Sequence, residues 1–235
     1  MPVPVTPSHP PVVDVVCWDW NGTLLDDTDV ARAAMNAVLG ARGLPVVPDA
    51  ATYRAVFGFP VQDFYERMGI APADFRSAAR HYLELFASHV GRARLQPEAV
   101  TALSAITGLG AEQVLISATV PDTLRQQMAP HRLDAHFTQI LGISDAYVAS
   151  KAEVVGGWLR SSGHDPHRVL MVGDTNHDEE IADELGVRFV RFALGHQEPP
   201  DHDRHPVVHD LRDVVRHVSG GAHPDGAAPR PVVAS

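Results

Sequence analysis

The sequence predicts an α/β protein with a parallel sheet, helices on both faces of that sheet and an inserted α-helical cap. Short, largely apolar runs are typical of strands that are buried on both faces. Helix-like stretches separate the later runs, and strands that alternate with helices favour a parallel sheet. A long, mainly helical interval separates the first two runs. The four runs, which together predict a Rossmann-like arrangement, span residues 12–18, 114–116, 169–172 and 188–192.

Helix signals follow the strand signals along the core. Pro97 and Pro121 each suit the first turn of a helix, because proline lacks the amide hydrogen that such a turn leaves unpaired. Residues 150–153 read Ser-Lys-Ala-Glu, the pattern of a capping box ahead of an apolar helix face. The stretch 176–185 has acidic residues in its first turn and Gly186 as a stop signal.

The interval from residue 26 to residue 94 is too long for a simple crossover between strands and predicts a helical cap. The remaining boundaries place a core domain at 12–25 and 95–218, a flexible N-terminus at 1–11 and a disordered tail at 219–235. The tail is rich in Gly, Ala and Pro and has little apolar surface to bury. Within the cap, the spacing of apolar residues predicts three amphipathic helices. Their apolar faces are formed by Ala33, Ala34, Ala37 and Val38, by Val61, Phe64, Tyr65 and Met68, and by Phe75, Ala78, Ala79, Tyr82, Leu85 and Phe86.

Composition excludes several function classes. The net charge of −10 disfavours nonspecific nucleic-acid binding. No apolar run approaches the roughly 20 residues of a membrane span, and the Pro-rich start lacks a signal-peptide pattern. The single cysteine, Cys17, cannot form an internal disulfide and is predicted to be a buried small residue in a reducing, cytoplasmic location. A monomer and a homodimer both fit the sequence.

Polar residues follow three of the apolar runs directly. Asp19 follows the first run, Ser117 the second, and Gly173-Asp174 the third. Taken singly, each has an ordinary reading as a turn residue. In open parallel sheets, however, ligands bind at the carboxyl ends of the strands. The three side chains are therefore expected to meet at one edge of the sheet.

Lys151 is the only lysine in a chain with 19 Lys plus Arg, so the other 18 are arginines. It lies in the first turn of a predicted helix, where it can direct a compact cation towards the strand ends. A planar guanidinium replaces such a point charge poorly. The sequence therefore favours a site role for Lys151 over an ordinary surface position.

The stretch from Trp18 to Asp27, WDWNGTLLDD, resembles the nucleophile loop of the haloacid dehalogenase superfamily, whose signature is Asp-x-Asp-Gly-Thr. Ser117, Lys151 and the Gly-Asp-x-x-x-Asp sequence at 173–178 resemble that superfamily's other three motifs in the same order. The resemblance covers about residues 12–215 and is greatest to the phosphoglycolate-phosphatase-like group. It implies Mg²⁺-dependent hydrolysis of a small phosphorylated substrate.

The resemblance also implies roles for individual residues. Asp19 is the nucleophile that forms an aspartyl phosphate. Ser117 and the backbone N–H of Ala118 hold a phosphoryl oxygen, and Lys151 neutralises the phosphate. Thr23 lies in the turn after the nucleophile and contributes to substrate binding. Mg²⁺ is held by Asp19, the main-chain carbonyl of Asn21, Asp174 and, directly or through water, Asp178.

The chain departs from the signature at Asn21, where the superfamily has the aspartate that transfers protons. An amide cannot do this, and general acid–base catalysis contributes roughly 10²–10⁴-fold. Three alternatives stay open: an enzyme selective for good leaving groups, such as acyl or aryl phosphates; another proton donor; or a non-catalytic phosphometabolite-binding or regulatory protein. If the enzyme is active, Asn21→Asp is expected to raise turnover most for alkyl phosphates.

Weaker candidates remain. Arg54 lies in a cap loop, 53–60, and is expected to contact a second anionic group of the substrate. His177 is next to the acidic pair and is a possible proton donor. A zinc cluster of His202, His205 and His209 is less favoured than a solvated loop. A cap without lysine disfavours Schiff-base phosphonate hydrolysis, and the acidic pair disfavours metal-free dehalogenation.

Overall fold

The computed structural model describes residues 12–143, 151–201 and 204–220. The strands among these residues are β1 (Val15–Trp18), β2 (Leu25–Asp26), β3 (Arg94–Leu95), β4 (Glu112–Ser117), β5 (Gln139–Gly142), β6 (Val169–Gly173), β7 (Arg188–Phe192) and β8 (Val207–Val208). Six of them form a fully parallel sheet in the order β5-β4-β1-β6-β7-β8, and β2 pairs antiparallel with β3. The predicted parallel α/β architecture is confirmed.

The central position of β1 brings the three predicted polar residues to neighbouring strand ends. In the sheet, Trp18 of β1 pairs with Leu115 of β4 on one side and with Val172 of β6 on the other. β1 ends in this row, whereas β6 continues one residue further, to Gly173, and β4 two residues further, to Ser117. Asp19 and Asp174 directly follow β1 and β6, so they lie with Ser117 at the carboxyl edge, where a parallel sheet opens towards ligands.

Helices cover both faces of the sheet, and β1 is buried on both sides. Val16 and Trp18 pack into one apolar core, and Val15 and Cys17 into the other. This alternation follows from the two-residue period of a strand. The helices are α1 (Thr28–Gly40), α2 (Ala50–Val56), α3 (Val61–Arg67), α4 (Phe75–His89), α5 (Ala99–Gly108), α6 (Pro121–Met128), α7 (Lys151–Ser162), α8 (Asn176–Leu185) and α9 (Val214–Ser219).

The helical insert, α1 to α4, builds an apolar core of its own. The β2–β3 pair closes its two ends, since Leu25 pairs with Leu95 and Asp26 with Arg94. The predicted face of α1 is partly wrong, because Ala33 and Ala37 are exposed. Its buried residues are Thr28, Ala31, Ala34, Met35, Val38 and Leu39, so the larger Met35 and Leu39 determine which side packs inward.

Several boundaries differ from the sequence prediction. The first strand begins at Val15 instead of residue 12. Pro97 does not lie in the first turn of α5, because Glu98 has a left-handed backbone (φ 63°) and α5 starts at Ala99. Ser219 ends α9, so it does not belong to a disordered tail.

Other predictions are confirmed or fall outside the described residues. Pro121 opens α6, and Gly186 caps α8 with a left-handed backbone (φ 67°). Cys17 is buried, as expected, and burial raises the pKa of its thiol. The predicted capping residue Ser150, the N-terminus 1–11 and the tail from 221 lie outside the described residues.

Candidate active site

Asp19 stands at the end of β1, between two tryptophans that are fully buried. The indole N–H of Trp18 donates to Gln113 Oε1 at 3.0 Å, and that of Trp20 donates to Gln127 Oε1 at 2.9 Å. The backbone N–H of Asp19 donates to the carbonyl of Val172 at 2.9 Å. These anchors hold the start of the loop rigidly against the sheet, so the Asp19 carboxylate has a defined direction.

The turn after Asp19 requires glycine at position 22. Gly22 has φ +79°, and a Cβ there would meet His196 Cδ2 at 2.5 Å. The next residue, Thr23, is fully buried, and its Oγ1 lies 3.2 Å from Asp19 Oδ2 and 3.0 Å from Asp174 Oδ1. One hydroxyl therefore connects the first strand end to the Asp174 loop, an arrangement that the sequence did not reveal.

Lys151 lies among the acidic side chains, as its position in the sequence predicted. Its ammonium donates to Asp19 Oδ1 and, at 2.6 Å, to Asp178 Oδ1. The lysine is only 4% exposed. A surface position for Lys151 is therefore excluded, and its charge is directed at the candidate nucleophile.

The acidic residues after β6 are held by the start of α8 and by the loop after β7. Asp178 Oδ2 accepts from Thr175 Oγ1 at 2.7 Å and from the Thr175 backbone N–H at 3.1 Å. Asp174 Oδ2 accepts from the backbone N–H of His196 at 2.5 Å. Carboxylate oxygens of Asp19, Asp174 and Asp178 lie within 4.8 Å of one another. This set of hard oxygen donors fits Mg²⁺.

The charges of the site also fit a divalent cation. Burial, together with repulsion from Asp178 and Asp174, raises the pKa of Asp19 to about 8 despite the nearby lysine. Burial likewise raises the pKa of Asp174. When ionised, three carboxylates against one ammonium leave two negative charges in excess. A bound dication would balance them and would favour the ionised, nucleophilic form of Asp19.

The Lys151–Asp178 contact shifts both partners towards their charged forms. Although burial acts in the opposite direction, Lys151 and the Thr175 hydroxyl hold the pKa of Asp178 below its usual value. Against the effect of burial, the carboxylates of Asp178 and Asp19 raise the pKa of Lys151. The ammonium therefore stays charged at neutral pH.

The side chain of Asn21 is held on both sides. Its Nδ2 donates to Asp27 Oδ2 at 2.7 Å, and its Oδ1 accepts from Thr119 Oγ1 at 3.1 Å. Asp27 is fully buried and also accepts from the backbone N–H of Gly22 at 2.8 Å. Asn21 is thus an ordered part of the loop, and its amide engages groups on both flanks.

Ser117 and Ala118 lie at the end of β4. The Ser117 side chain is buried and its Oγ accepts from the backbone N–H of Thr119 at 3.1 Å. Ala118, by contrast, is exposed. Ser117 is the last residue of β4, the strand next to β1, and Ala118 follows it at the carboxyl edge of the sheet. Their predicted role in holding a phosphoryl oxygen stays a prediction.

The loop after β7 supplies His196, which sequence reasoning missed. Its Nε2 lies 3.0 Å from Asp27 Oδ1, and its Nδ1 lies 3.4 Å from the Tyr53 hydroxyl of the insert. Although burial acts in the opposite direction, the charges of Asp27 and Asp174 raise the pKa of His196 to about 9. No motif marks this histidine; the only signal is its position four residues beyond a strand end.

Arg54 connects the insert to the core. Its Nε donates to the carbonyl of Gly195 at 2.9 Å, and its Nη2 lies 3.4 Å from that of Leu194. The backbone N–H of Glu198 donates in turn to the Arg54 carbonyl at 3.1 Å. The guanidinium is therefore engaged by the main chain of the core loop. Its predicted contact with a second anionic group of the substrate stays a prediction.

A second connection joins the insert to the start of α8. Asn176 Nδ2 donates to the carbonyl of Phe59, and Asn176 Oδ1 accepts from the Phe59 backbone N–H, each at 3.0 Å. The ring of His177 stacks on Phe59 with 4.7 Å between centroids. Burial lowers the pKa of His177. The two connections hold residues 53–60 against the strand-end side of the core. The predicted loop is partly wrong, because residues 53–56 form the end of α2 and only 57–60 lie between α2 and α3.

The predicted histidine loop is only partly solvated. His202 lies outside the described residues, and His209 is exposed. The half-buried His205 lies 3.0 Å from Asp183 Oδ1 of α8, so it is not a free loop residue. Ligand atoms of His205, Glu179 and Asp183 lie within 4.8 Å of one another. Arg204 already pairs with Asp183 at 2.5 Å in this arrangement.

The family model of the haloacid dehalogenase-like hydrolases matches residues 16–192, well over half of the 235-residue chain. The chain belongs to the haloacid dehalogenase-like hydrolase family. The match includes Asp19, Ser117, Lys151 and the Asp174/Asp178 pair within one family model. The predicted family is confirmed.

Named relatives and a solved structure match over most of their length. A phosphoglycolate phosphatase of Mesorhizobium japonicum is 26% identical over 212 residues, which cover 86% of this chain and 90% of the relative. A phosphoglycolate phosphatase of Caulobacter vibrioides is 24% identical over 212 residues, covering 86% and 89%. The fold matches that of a haloacid dehalogenase-like hydrolase from Streptococcus pneumoniae with a TM-score of 0.74 and 19% identity, covering 88% of this chain and 98% of that one.

Within the described part of this hydrolase, no helix is both long enough and apolar enough to span a bilayer.

Proposed function

We propose that this hydrolase is a Mg²⁺-dependent phosphatase that acts on a small phosphorylated metabolite through an aspartyl phosphate on Asp19. The observation that carries the proposal is the contact of the Lys151 ammonium with the Asp19 carboxylate, beside the Asp174/Asp178 pair. A carboxylate next to a fixed cation at the end of a central strand is arranged for attack on an anionic group. The names of the relatives, phosphoglycolate phosphatases, support a small substrate.

The proposed first step is attack of an Asp19 oxygen on phosphorus. The bond from phosphorus to the ester oxygen breaks, and the leaving group departs with that electron pair. Lys151 offsets the negative charge on the transferred phosphoryl group, and Ser117 with the Ala118 N–H is proposed to hold one of its oxygens. In a second step water attacks phosphorus, which releases inorganic phosphate and regenerates the Asp19 carboxylate.

Mg²⁺ is proposed to be held by Asp19, the Asn21 carbonyl, Asp174 and Asp178. When bound, it would supply positive charge against the phosphoryl oxygens and against the excess of carboxylates. Three further properties stay predictions. These are the domain boundaries, with a core at 12–25 and 95–218 and a cap at 26–94, the cytoplasmic location, and the monomeric or homodimeric state.

Asn21 makes the proposed enzyme selective for its leaving group. A carboxamide neither releases nor takes up a proton near neutral pH, and both ends of this one are already engaged, since it donates to Asp27 and accepts from Thr119. Acyl and aryl phosphates leave without strong protonation, whereas alkyl phosphates need it. We therefore expect turnover of aryl phosphates to exceed that of alkyl phosphates. The competing proposal is that the protein binds a phosphorylated metabolite without hydrolysing it.

Hydrolysis of p-nitrophenyl phosphate, with Mg²⁺ and with EDTA, tests the proposal. The wild type should release p-nitrophenol only with Mg²⁺, and Asp19→Asn should release none above background. Asp29→Asn, an exposed carboxylate of α1, makes the same chemical change away from the site and should retain wild-type turnover. Wild-type activity in Asp19→Asn would refute the assignment of Asp19 as the nucleophile. If the wild type hydrolysed no aryl, acyl or alkyl phosphate, the proposal that the protein is a phosphatase would be refuted.

A further inference from the structure

Asp27 has an orientation that its place in the chain does not explain. It occupies the N-cap position of α1, where an aspartate usually accepts a hydrogen bond from the helix backbone. Here its side chain makes no capping bond. Instead the fully buried carboxylate turns back to the nucleophile loop and accepts from Asn21 Nδ2 at 2.7 Å and from the Gly22 N–H at 2.8 Å. Its Oδ1 also lies 3.0 Å from His196 Nε2.

The carboxylate of Asp27 determines which way the Asn21 amide faces. A carboxylate only accepts hydrogen bonds, so the amide must present its NH₂ group to Asp27. Its oxygen is then left for the hydroxyl of Thr119, at 3.1 Å. An aspartate at position 21, which is half-buried, would bring a second carboxylate to 2.7 Å from the first. Like charges at this distance repel, so Asn21 suits Asp27 better than an aspartate would.

Asp27 also orients the main chain that carries the proposed metal ligand. The Asn21–Gly22 peptide bond is trans, so its N–H and its C=O point in opposite directions. Since the Gly22 N–H is directed at Asp27 Oδ1, the Asn21 carbonyl points away from Asp27. The same N–H also donates to the carbonyl of Leu25 at 3.0 Å, so Asp27 orients this peptide together with the Leu25 main chain, and it contacts the Asn21 amide as well.

We propose that Asp27 is a positioning residue that is matched to Asn21: it fixes the Asn21 side chain and aims the Asn21 carbonyl at the Mg²⁺ site. Asn21 is then part of a paired arrangement with Asp27 instead of a simple loss of an aspartate. The metal part of this inference rests on the proposed function. The pairing part rests on the hydrogen bonds alone.

The pairing predicts a specific rescue. In Asp27→Asn a single amide oxygen replaces the two carboxylate oxygens that accept from Asn21 Nδ2 and from the Gly22 N–H, and in Asn21→Asp two carboxylates face each other. The swap, Asn21→Asp with Asp27→Asn, restores one donor to one acceptor. The amide that the swap places at position 27 also keeps an oxygen that can accept from the Gly22 N–H. Each single variant should therefore lose stability. The swap should recover the part of the loss that comes from the mismatch with position 21, while the loss of the Asp27–His196 ion pair remains in it as it does in Asp27→Asn.

Thermal unfolding in EDTA tests the pairing without any need for turnover. Each single variant should lower the unfolding midpoint by roughly 4 °C or more, a shift that suits a chain of this size. The loss in the swap should be clearly smaller than the sum of the two single losses, and the part that remains should come from the lost Asp27–His196 ion pair. If the two single losses simply add in the swap, or if Asn21→Asp alone is as stable as the wild type, the pairing is refuted. If Asn21→Asp fails to fold, the swap is compared with Asp27→Asn instead. A swap that is at least as stable as Asp27→Asn supports the pairing, and a swap that is much less stable refutes it.

Mg²⁺ titration by calorimetry on the folded proteins tests the positioning role. Asp27→Asn should weaken Mg²⁺ binding about 10- to 100-fold, as the loss of groups that orient metal ligands does. Asp29→Asn removes the same charge at an exposed position and should bind Mg²⁺ like the wild type. Wild-type affinity in Asp27→Asn would refute the positioning role. If wild-type protein binds Mg²⁺ but hydrolyses no phosphate, the proposed function fails while this inference stands.

Discussion

The ammonium of Lys151 lies 2.6 Å from Asp178 Oδ1 and contacts Asp19 Oδ1 at the same time. It is thus the cation that compensates two of the three buried carboxylates at the end of the sheet. In a chain whose other basic residues are all arginine, a lysine at this position points to a need for a compact charge. The surrounding space is closed, since the lysine is buried.

Lys151→Met should therefore damage both stability and activity. Removing one partner of a buried charge cluster leaves the carboxylates uncompensated, which costs about 3–5 kcal/mol of unfolding free energy. Loss of a charge that stabilises the transferred group should reduce turnover by about 10²-fold or more. Urea unfolding in EDTA and p-nitrophenyl phosphate turnover measure the two effects.

Lys151→Arg keeps the positive charge but replaces the compact ammonium with a planar guanidinium. The arginine should retain more stability than methionine, but its planar guanidinium should leave turnover well below the wild type. Wild-type turnover in either variant would contradict a role for Lys151 in catalysis.

Gly195 lets Asp174 approach the loop after β7. A Cβ at this position would overlap the Cβ, Cγ and Oδ2 atoms of Asp174, and the aspartate has no room to move aside, because Thr23 and the His196 N–H hold it. Gly195→Ala should displace the carboxylate and weaken Mg²⁺ affinity about tenfold or more, as measured by calorimetry. Gly108→Ala is the control, since nothing lies within 4 Å of a Cβ there. Equal Mg²⁺ affinity in the two variants would show that the contact is unimportant.

Arg54 offers a test between two roles. If it acts by joining the insert to the core through Gly195 and Leu194, Arg54→Ala should impair all substrates equally and lower the unfolding free energy by about 1 kcal/mol. If it binds a second anionic group, the loss should appear only with phosphate esters that also carry a carboxylate. We expect the first outcome. The two roles are distinguished by the ratio of kcat/KM for an aryl phosphate with a carboxylate to that for one without, measured on the wild type and on Arg54→Ala. Arg67→Ala of α3, an exposed arginine, is the control.

The sequence predicted the parts of the fold that depend on local pattern. The apolar runs around Cys17, Leu115 and Val172 are buried on both faces, and their strands appear close to the predicted positions. β5 was missed because it is a half-buried edge strand that starts at the exposed Gln139. β8, of two residues, is too short to leave a pattern.

The site was predictable where a residue follows a strand end or stands out in composition. Asp19 and Asp174 are of the first kind and Lys151 is of the second. The partnership of Asp27 and His196 was not predictable, because the two residues are 169 positions apart and meet only after the sheet has brought the loop of β7 beside that of β1. The sequence displayed the substitution at Asn21, but the structure was needed to reveal the carboxylate that faces it.

The preference for good leaving groups that is attributed to Asn21 should be reduced by the double variant Asn21→Asp with Asp27→Asn, and not by Asn21→Asp alone. From sequence alone, Asn21→Asp is expected to raise alkyl phosphate turnover. The nearby Asp27 changes this expectation, because its Oδ2 lies 2.7 Å from the group to be replaced. Asn21→Asp alone should gain little. Asn21→Asp with Asp27→Asn should place one carboxylic group beside the nucleophile and raise turnover of alkyl phosphates by up to about 10²-fold.

Aryl phosphates should change far less, since their leaving groups need little protonation. Initial rates with p-nitrophenyl phosphate and with a simple alkyl phosphate, measured on the wild type, both single variants and the swap, test this directly. An equal gain on both esters would mean that the new carboxylate does not act as an acid. A full gain in Asn21→Asp alone would mean that Asp27 does not restrict position 21. The ratio of the two rates removes any effect that is common to both substrates, such as a change in the fraction of folded protein.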